Sequence, residues 1–384
     1  MKLTQDMEQY IQQEAETLKQ LIRDIAVIPA PSRHEEKRAE WVTGWWNRNG
    51  EDGAFIDEAL NVVLPVGVTE DNDLYVFMAH TDVVFPDTEP LPFSEDETTF
   101  HCPGVGDDTA CLAVLLMAAR YFLKRRMPPK TGLLIVANSC EEGLGNLKGS
   151  RKIVDTWGSR IRGFVTVDGE LDRIVDRAVG SHRYRVSVHT EGGHSYGAFG
   201  NRNAIACLAS MITALYSVKV PERAGTKTTY NVGGISGGTS VNTIAQDAEM
   251  LYEYRSDDAE CLEQMHRMFM GVISAWRGMG VRVDVEQIGD RPCGSIAGRE
   301  DYDRFIEKIQ QAAESSLGFR LKPRSSSTDA NYPLSLGIPA VCIGGCHSVH
   351  THCRDEFLYL DSLQKGFRLL MAVLGEYFEV TENS

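Results

Sequence analysis

The sequence predicts an α/β chain: a mixed, mainly parallel sheet flanked by helices, with a smaller α+β unit inserted into it. Three observations lead there. Short apolar runs alternate with helical patterns over residues 1–180, as in parallel sheets with crossover helices. The pattern changes over residues 181–292 to strand, helix, strand, strand, helix, strand, which is the ferredoxin-like order. It then returns to α/β over residues 293–384. One domain of residues 1–180 and 293–384 is therefore expected to carry an inserted domain of residues 181–292.

The elements follow from periodicity and punctuation. Residues 5–28 and 35–48 have helical spacing, separated by "PAPS". "DLYVFMAHTD" (73–82) reads as a buried strand that runs into polar residues. Residues 108–125 form a strongly apolar helix, "TGLLIVANS" (131–139) the next strand and "LGNLKGSRKIVDTW" (144–157) the next helix. "RGFVTVDGE" (162–170) is a short strand ending in acids. In the insert, strands are expected at 182–190, 227–235, 246–255 and 281–288, and helices at 203–218 and 258–278. A helix at 300–317, a strand at 339–344 and a helix at 361–378 complete the chain.

Composition narrows the function classes. Apolar residues make up 42% and charged residues 24%, as in ordinary globular proteins. The formal net charge of −15 disfavours nucleic acid and anionic membranes as partners. The opening "MKLTQDMEQYIQQEAETLKQ" has no apolar core of the kind a secretory signal needs, and no apolar run approaches a membrane span. The nine scattered cysteines read as reduced thiols and point to the cytoplasm. Cys342, Cys346 and Cys353 could form a structural zinc site, but thiols packed near a strand explain them as well.

Several expected strands end in metal-binding residue types, at the edge where open α/β sheets bind ligands. "FMAHTD" supplies His80 and Asp82, "IVANSCEE" Glu141 and Glu142, "FVTVD" Asp168, and "AVCIGGCHSVHTHC" the late histidines; "GVGDDTA" adds Asp107 and Asp108. Any one is routine, whereas five in one chain form a pattern. Residues two apart on a strand share a face, so Asp82 can reach the rear nitrogen of His80 and fix its tautomer. Glu141 and Glu142 are neighbours and point opposite ways when extended. One can bind a metal while the other addresses a water, which makes one a ligand and the other a general base. With His80, Asp107, Glu142, Asp168 and one late histidine as ligands, three carboxylates meet two divalent ions. The single positive charge left over is neutralised by one hydroxide, a nucleophile available near neutral pH. Mixed imidazole and carboxylate ligands suit zinc, with cobalt or manganese as substitutes.

Over almost its whole length the chain resembles the di-zinc peptidase family of peptidase T, aminoacylase and carboxypeptidase G. The resemblance rests on "HTD", "GDDTA", "EEG", "VDGE", "GGHSYGAFGNRNAI", "GGTSVNTIAQDAEMLYEYRS", "SSTDANYPLSLGIPAV" and "HCRDE", in that order. It implies a metallopeptidase with His80, Asp107, Glu142, Asp168 and His352 as metal ligands. Asp107 bridges the two ions, commonly before a cis peptide bond. Asp82 orients His80, and Glu141 is the general base. His352 is taken from an H-x-x-x-E pattern with Glu356, and His350 and His347 compete with it. The insert corresponds to the family's lid, which commonly mediates dimerisation. In it, His194 would steady the oxyanion, while Asn242 and Arg255, 13 apart, would hold polar groups of the substrate. Asp329, in the "STDAN" loop, would line the substrate pocket. Thr109 departs from the family's frequent Asp-Asp-Lys, a change of local charge and not of a ligand. Asp168 is the shorter acid, as in the aminopeptidase and dipeptidase branches. The expected activity is amide hydrolysis in short peptides or amino-acid amides, most like a tripeptide aminopeptidase. An N-acyl amino acid deacylase or a carboxypeptidase is the alternative, and a non-catalytic binding protein a more distant one.

Overall fold

In the computed structural model, which describes residues 1–380, the chain divides into two compact units: Met1–Ala178 with the segment from Ser295 onward, and Val179–Gly294.

The first unit is built on an eight-stranded sheet. Its order is Phe55–Ile56, Val62–Val66, Gly132–Asn138, Leu74–His80, Ile161–Val167, Ala340–Ile343, Arg173–Ala178 and Lys322–Ser326. Gly132–Asn138, Leu74–His80, Ile161–Val167 and Ala340–Ile343 lie side by side in parallel. They are near-continuous apolar runs because both faces are covered. The sheet is mixed: Val62–Val66 is antiparallel to Gly132–Asn138, and Arg173–Ala178 to Ala340–Ile343. The helix Cys111–Lys124 buries eleven residues around most of its circumference, which marks a core helix. It packs with Leu360–Gly375, which in turn packs with Glu300–Leu317.

Strand register sets the site. His80 pairs with Asn138, and Ile343 with Val167, so these strands end at one edge. Their polar continuations emerge together: His80–Asp82, Ser139–Glu142, Asp168 and the segment after Ile343. A separate four-stranded sheet of Ser348–Val349, Phe357–Tyr359, Thr99–His101 and Ser94–Glu95 holds the hairpin that carries residues 350–356.

The second unit is a four-stranded antiparallel sheet in the order Thr228–Gly237, Asp247–Ser256, Gly180–His189, Arg282–Arg291. Alternate residues Tyr184, Val186 and Val188 and Met250, Tyr252 and Tyr254 share a core with the helices Ala204–Tyr216 and Ala259–Gly278. This is the ferredoxin-like arrangement.

Among the elements that escape the sequence pattern are three strands of the large sheet and one break between helices. Val62–Val66 contains Pro65, which argues against a strand. It is tolerated because Phe55–Ile56 pairs only with Val62 and Val63, so Pro65 interrupts no ladder on that side. Arg173–Ala178 was not expected, and Lys322–Ser326 is an exposed edge strand without apolar alternation. The expected helix at 5–28 is two helices, Gln5–Gln13 and Ala15–Ala26, with no glycine or proline to announce the joint.

Candidate metal centre

His80 is the last residue of its strand and is buried. Its Nδ1 lies 3.0 Å from the backbone carbonyl of Asp82. A carbonyl can only accept, so Nδ1 carries a proton and Nε2 faces Asp107 Oδ1 at 3.0 Å. The Asp82 carboxylate stands further from the ring, at 3.5 Å. It is engaged elsewhere, accepting the N–H groups of Glu141 (3.0 Å) and Glu142 (2.9 Å) and the Ser32 hydroxyl (2.6 Å). Asp82 thus orients His80 chiefly through its main chain, while its side chain holds the turn bearing the two glutamates.

Asp107 sits in a tight turn before the helix Cys111–Lys124, and the Asp107–Asp108 peptide is cis. The turn is held by Glu356, which accepts N–H groups from Gly104 (2.9 Å), Gly106 (2.9 Å) and Asp107 (3.0 Å). His352 Nε2 lies 3.1 Å from Asp107 Oδ2 and 2.8 Å from Glu142 Oε1. The other late histidines turn away, His350 to Asp355 at 2.8 Å and His347 to Glu170. Three groups among the described residues have ligand atoms within 4.8 Å of one another: His80, Asp107 and Asp168; His80, Glu141 and Glu142; and Asp107, Glu142 and His352.

The electrostatics are those of a cation site. Burial, reinforced by Asp107, pushes Asp168 up to about 7 and also raises Glu142. Burial and then Asp107 likewise raise Glu356 to about 7. The hydrogen bonds that His352 donates to Asp107 and Glu142 push it up to about 11. His80 is raised well above its usual value: burial opposes this, but Asp108, Asp107 and Asp82 outweigh it. So many acids cannot all ionise in a buried space without positive charge, and here two imidazolium protons supply part of it. The donors are the oxygen and imidazole set that suits a divalent transition metal, so the residues fit metal ions.

Other expected residues are placed differently. Asp329 is buried and accepts from Asn138 Nδ2 at 2.5 Å, while its main chain bonds Ser150. Its loop folds back on Asn138, and its charge acts on Asp168 of the acid cluster. In the second unit, exposed His194 lies in a two-stranded ribbon, Gly193–His194 with Thr243–Ile244, and exposed Asn242, in the turn just before the second strand, accepts the Ser195 N–H on its main-chain carbonyl at 2.9 Å. His194 Nδ1 accepts from the N–H groups of Tyr196 and Gly197, both at 3.3 Å. Arg255 lays its guanidinium fork on Glu253, with two contacts of 3.1 Å. Cys342 and Cys346 are buried thiols that donate to the carbonyls of Asp168 and Gly106, and Cys353 is exposed. They form no candidate metal group among the described residues.

Sequence reasoning gave no role to Ser32 or Glu356. The signal for Glu356 was present, since it ends the H-x-x-x-E pattern used to select His352. Ser32 lay in "PAPS", which reads as a mere break between helices.

This sheet, with acids and imidazoles gathered beyond its carboxyl edge, has the site of a metal-dependent hydrolase. Residues 76–376 match the pattern of Peptidase family M20/M25/M40, and the chain belongs to that family of metallopeptidases. It is 26% identical over 366 residues to the Mycobacterium tuberculosis protein named "Putative succinyl-diaminopimelate desuccinylase DapE", covering 91% of this chain and 95% of that one. Among solved structures it is similar to aminopeptidase PepT from Bacillus cereus, with a TM-score of 0.74 and 21% identity, covering 94% of this chain and 98% of that one. It is also similar to a tripeptidase from Staphylococcus aureus, with a TM-score of 0.76, 20% identity and the same coverage.

Proposed function

We propose that the chain is a di-zinc exopeptidase that removes the amino-terminal residue of short peptides, most like a tripeptide aminopeptidase. One observation carries the two-ion reading. Asp107 belongs to two of the ligand groups, with His80 and Asp168 in one and Glu142 and His352 in the other, as a bridging carboxylate would. Ions held there, zinc or in its place cobalt or manganese, would polarise the scissile carbonyl and acidify water. Glu141 is buried beside His80 and Glu142. It takes a proton from the attacking water and returns it to the departing amine. Because His194 Nδ1 accepts two backbone N–H groups, its neutral ring carries the proton on Nε2. That leaves Nε2 as a donor for the tetrahedral oxyanion. Asn242 and Arg255 hold polar groups of the substrate, Arg255 by exchanging Glu253 for a substrate carboxylate. Asp329 acts from below by fixing Asn138. The neighbours titled aminopeptidase and tripeptidase support the substrate class, as does the short acid Asp168. The second unit serves as a lid and joins two copies, and the nine free cysteines fit a cytoplasmic location.

A second reading, an N-acyl amino acid deacylase, is favoured by one comparison. Identity to the desuccinylase-named relative, 26%, exceeds the 20–21% to the two peptidase structures. Hydrolysis of trialanine and of N-acetyl-trialanine separates the two, using zinc-loaded protein and a chelated control. An aminopeptidase cuts only the free peptide, and chelation abolishes the cleavage. Cleavage of only the blocked peptide would replace this proposal with the deacylase or a carboxypeptidase.

A further inference from the structure

The segment between the helices Ala15–Ala26 and Glu36–Arg48, with the first turns of the second, touches three of the four loops that supply the acids. Ser32 donates to Asp82 Oδ2 and lies 3.3 Å from the carbonyl of Glu142. Arg33 donates to the carbonyl of Leu144 at 2.8 Å. Glu35 is fully buried, and its Oε1 accepts the N–H groups of Arg33 and Cys140, both at 2.9 Å. Arg38 is also fully buried. Its Nη1 donates to the Thr81 carbonyl at 2.8 Å and to Thr109 Oγ1 at 3.3 Å, and its Nε to the Ile28 carbonyl at 2.8 Å.

A buried guanidinium that meets only carbonyls and a hydroxyl is costly to keep. The helix offers a cheaper choice, since Arg38 shares its buried stripe with Ala39, Val42 and Trp46, where an apolar residue would serve packing. What Arg38 adds is a rigid fork. It ties Thr81, between His80 and Asp82, to Thr109, two residues after Asp107. Ser32 and Glu35 tie the same segment to the turn of Glu141 and Glu142. Acids that repel one another drive the strand-end loops apart, and this segment opposes that alongside the bonds to Asp82 and Glu356.

We propose that Ser32, Glu35 and Arg38 form a clasp that positions the His80–Asp82, Asp107–Thr109 and Cys140–Glu142 loops for metal binding and turnover. All three are positioning residues, and the proposal rests on reading the acid cluster as the metal centre. Groups behind metal ligands typically change affinity or activity by about 10–100-fold when removed.

The test uses full-length protein, zinc affinity from competition with a chromophoric chelator, and steady-state hydrolysis of the peptide that the wild type cleaves. Ser32→Ala, at a partly exposed position, is expected to weaken zinc binding about tenfold. It should lower kcat with KM nearly unchanged and leave the melting temperature of the chelated protein where it was. Arg38→Met is expected to give the larger loss. If Arg38→Met fails to fold, Ser32→Ala decides alone. Wild-type zinc affinity and kcat in a folded variant, or tighter zinc binding, would overturn the clasp. Wild-type protein that takes up no zinc would instead bring down the metal-centre reading, and the clasp with it.

Discussion

Glu141 and Glu142 are chain neighbours, yet the turn that carries them gives them different tasks. Cys140 adopts a positive φ of 59°, which bends the chain as it leaves the strand. Asp82 then accepts both glutamate N–H groups. Glu142 is left facing His352, while both glutamates stay beside His80. If Glu141 moves the proton and Glu142 holds metal, the two substitutions separate. Glu141→Ala is expected to lower kcat by about 10²–10⁴-fold with metal content unchanged. Glu142→Ala is expected to lower metal content itself. Metal analysis beside turnover reads both, and near-normal turnover in Glu141→Ala would contradict the mechanism. The pair of acids at the strand end was legible in "CEE". The turn that holds them was not, because Asp82 is 59 residues away from Glu141.

Among the elements, the helix Ala204–Tyr216, "AIACLASMITALY", has no charged residue. Its inner positions Leu208, Met211 and Leu215 are buried, while Ile205 and Tyr216 are 41% and 50% exposed. In the same unit the edge strand Thr228–Gly237 leaves Ile235 59% exposed. An uncharged helix face and an open strand edge are features that proteins usually cover. The proposed two-fold pairing of second units would cover both. Light scattering is expected to give the mass of a dimer, and Ile205→Glu to shift it to the monomer. A monomeric wild type at working concentration would oppose the pairing. The apolar strands and the helix Cys111–Lys124 were readable because burial on all sides imposes a continuous apolar pattern. Lys322–Ser326 was not readable, because an exposed edge strand is held by backbone bonds to Arg173–Ala178 that ask little of its side chains.

At the scale of the whole molecule, charge sets the response to pH. His352, at about 11, lies above the usual histidine value. It stabilises the metal-free fold fully below about 6.5, and that contribution is lost as pH rises toward 11. Asp168, at about 7, lies above the usual aspartate value. Its penalty to the metal-free fold grows as pH rises from about 4 and is complete above 7. Both signs agree, so the chelated protein is expected to lose thermal stability as pH rises from 6 toward 10. Metal binding should release protons, more of them below pH 7, where Asp168 contributes. Calorimetry in buffers of different ionisation enthalpy measures that count, and uptake with no proton release would contradict the assignment. No helix among the described residues is long and apolar enough to cross a membrane.

The sequence by itself determined the layered α/β architecture, the ferredoxin-like insert and the residue types at the strand ends. Each is written locally, in hydrophobic period or in the residue that follows an apolar run. The H-x-x-x-E pattern pointed to His352, but only tertiary structure turned the competing His347 and His350 away from the acids. The hairpin anchored by Glu356 presents only His352 to Asp107 and Glu142. Tertiary structure also gave Asp82 its grip on the glutamate turn and set Arg38 inside the protein. These depend on contacts between segments far apart in the chain, and no periodicity records them.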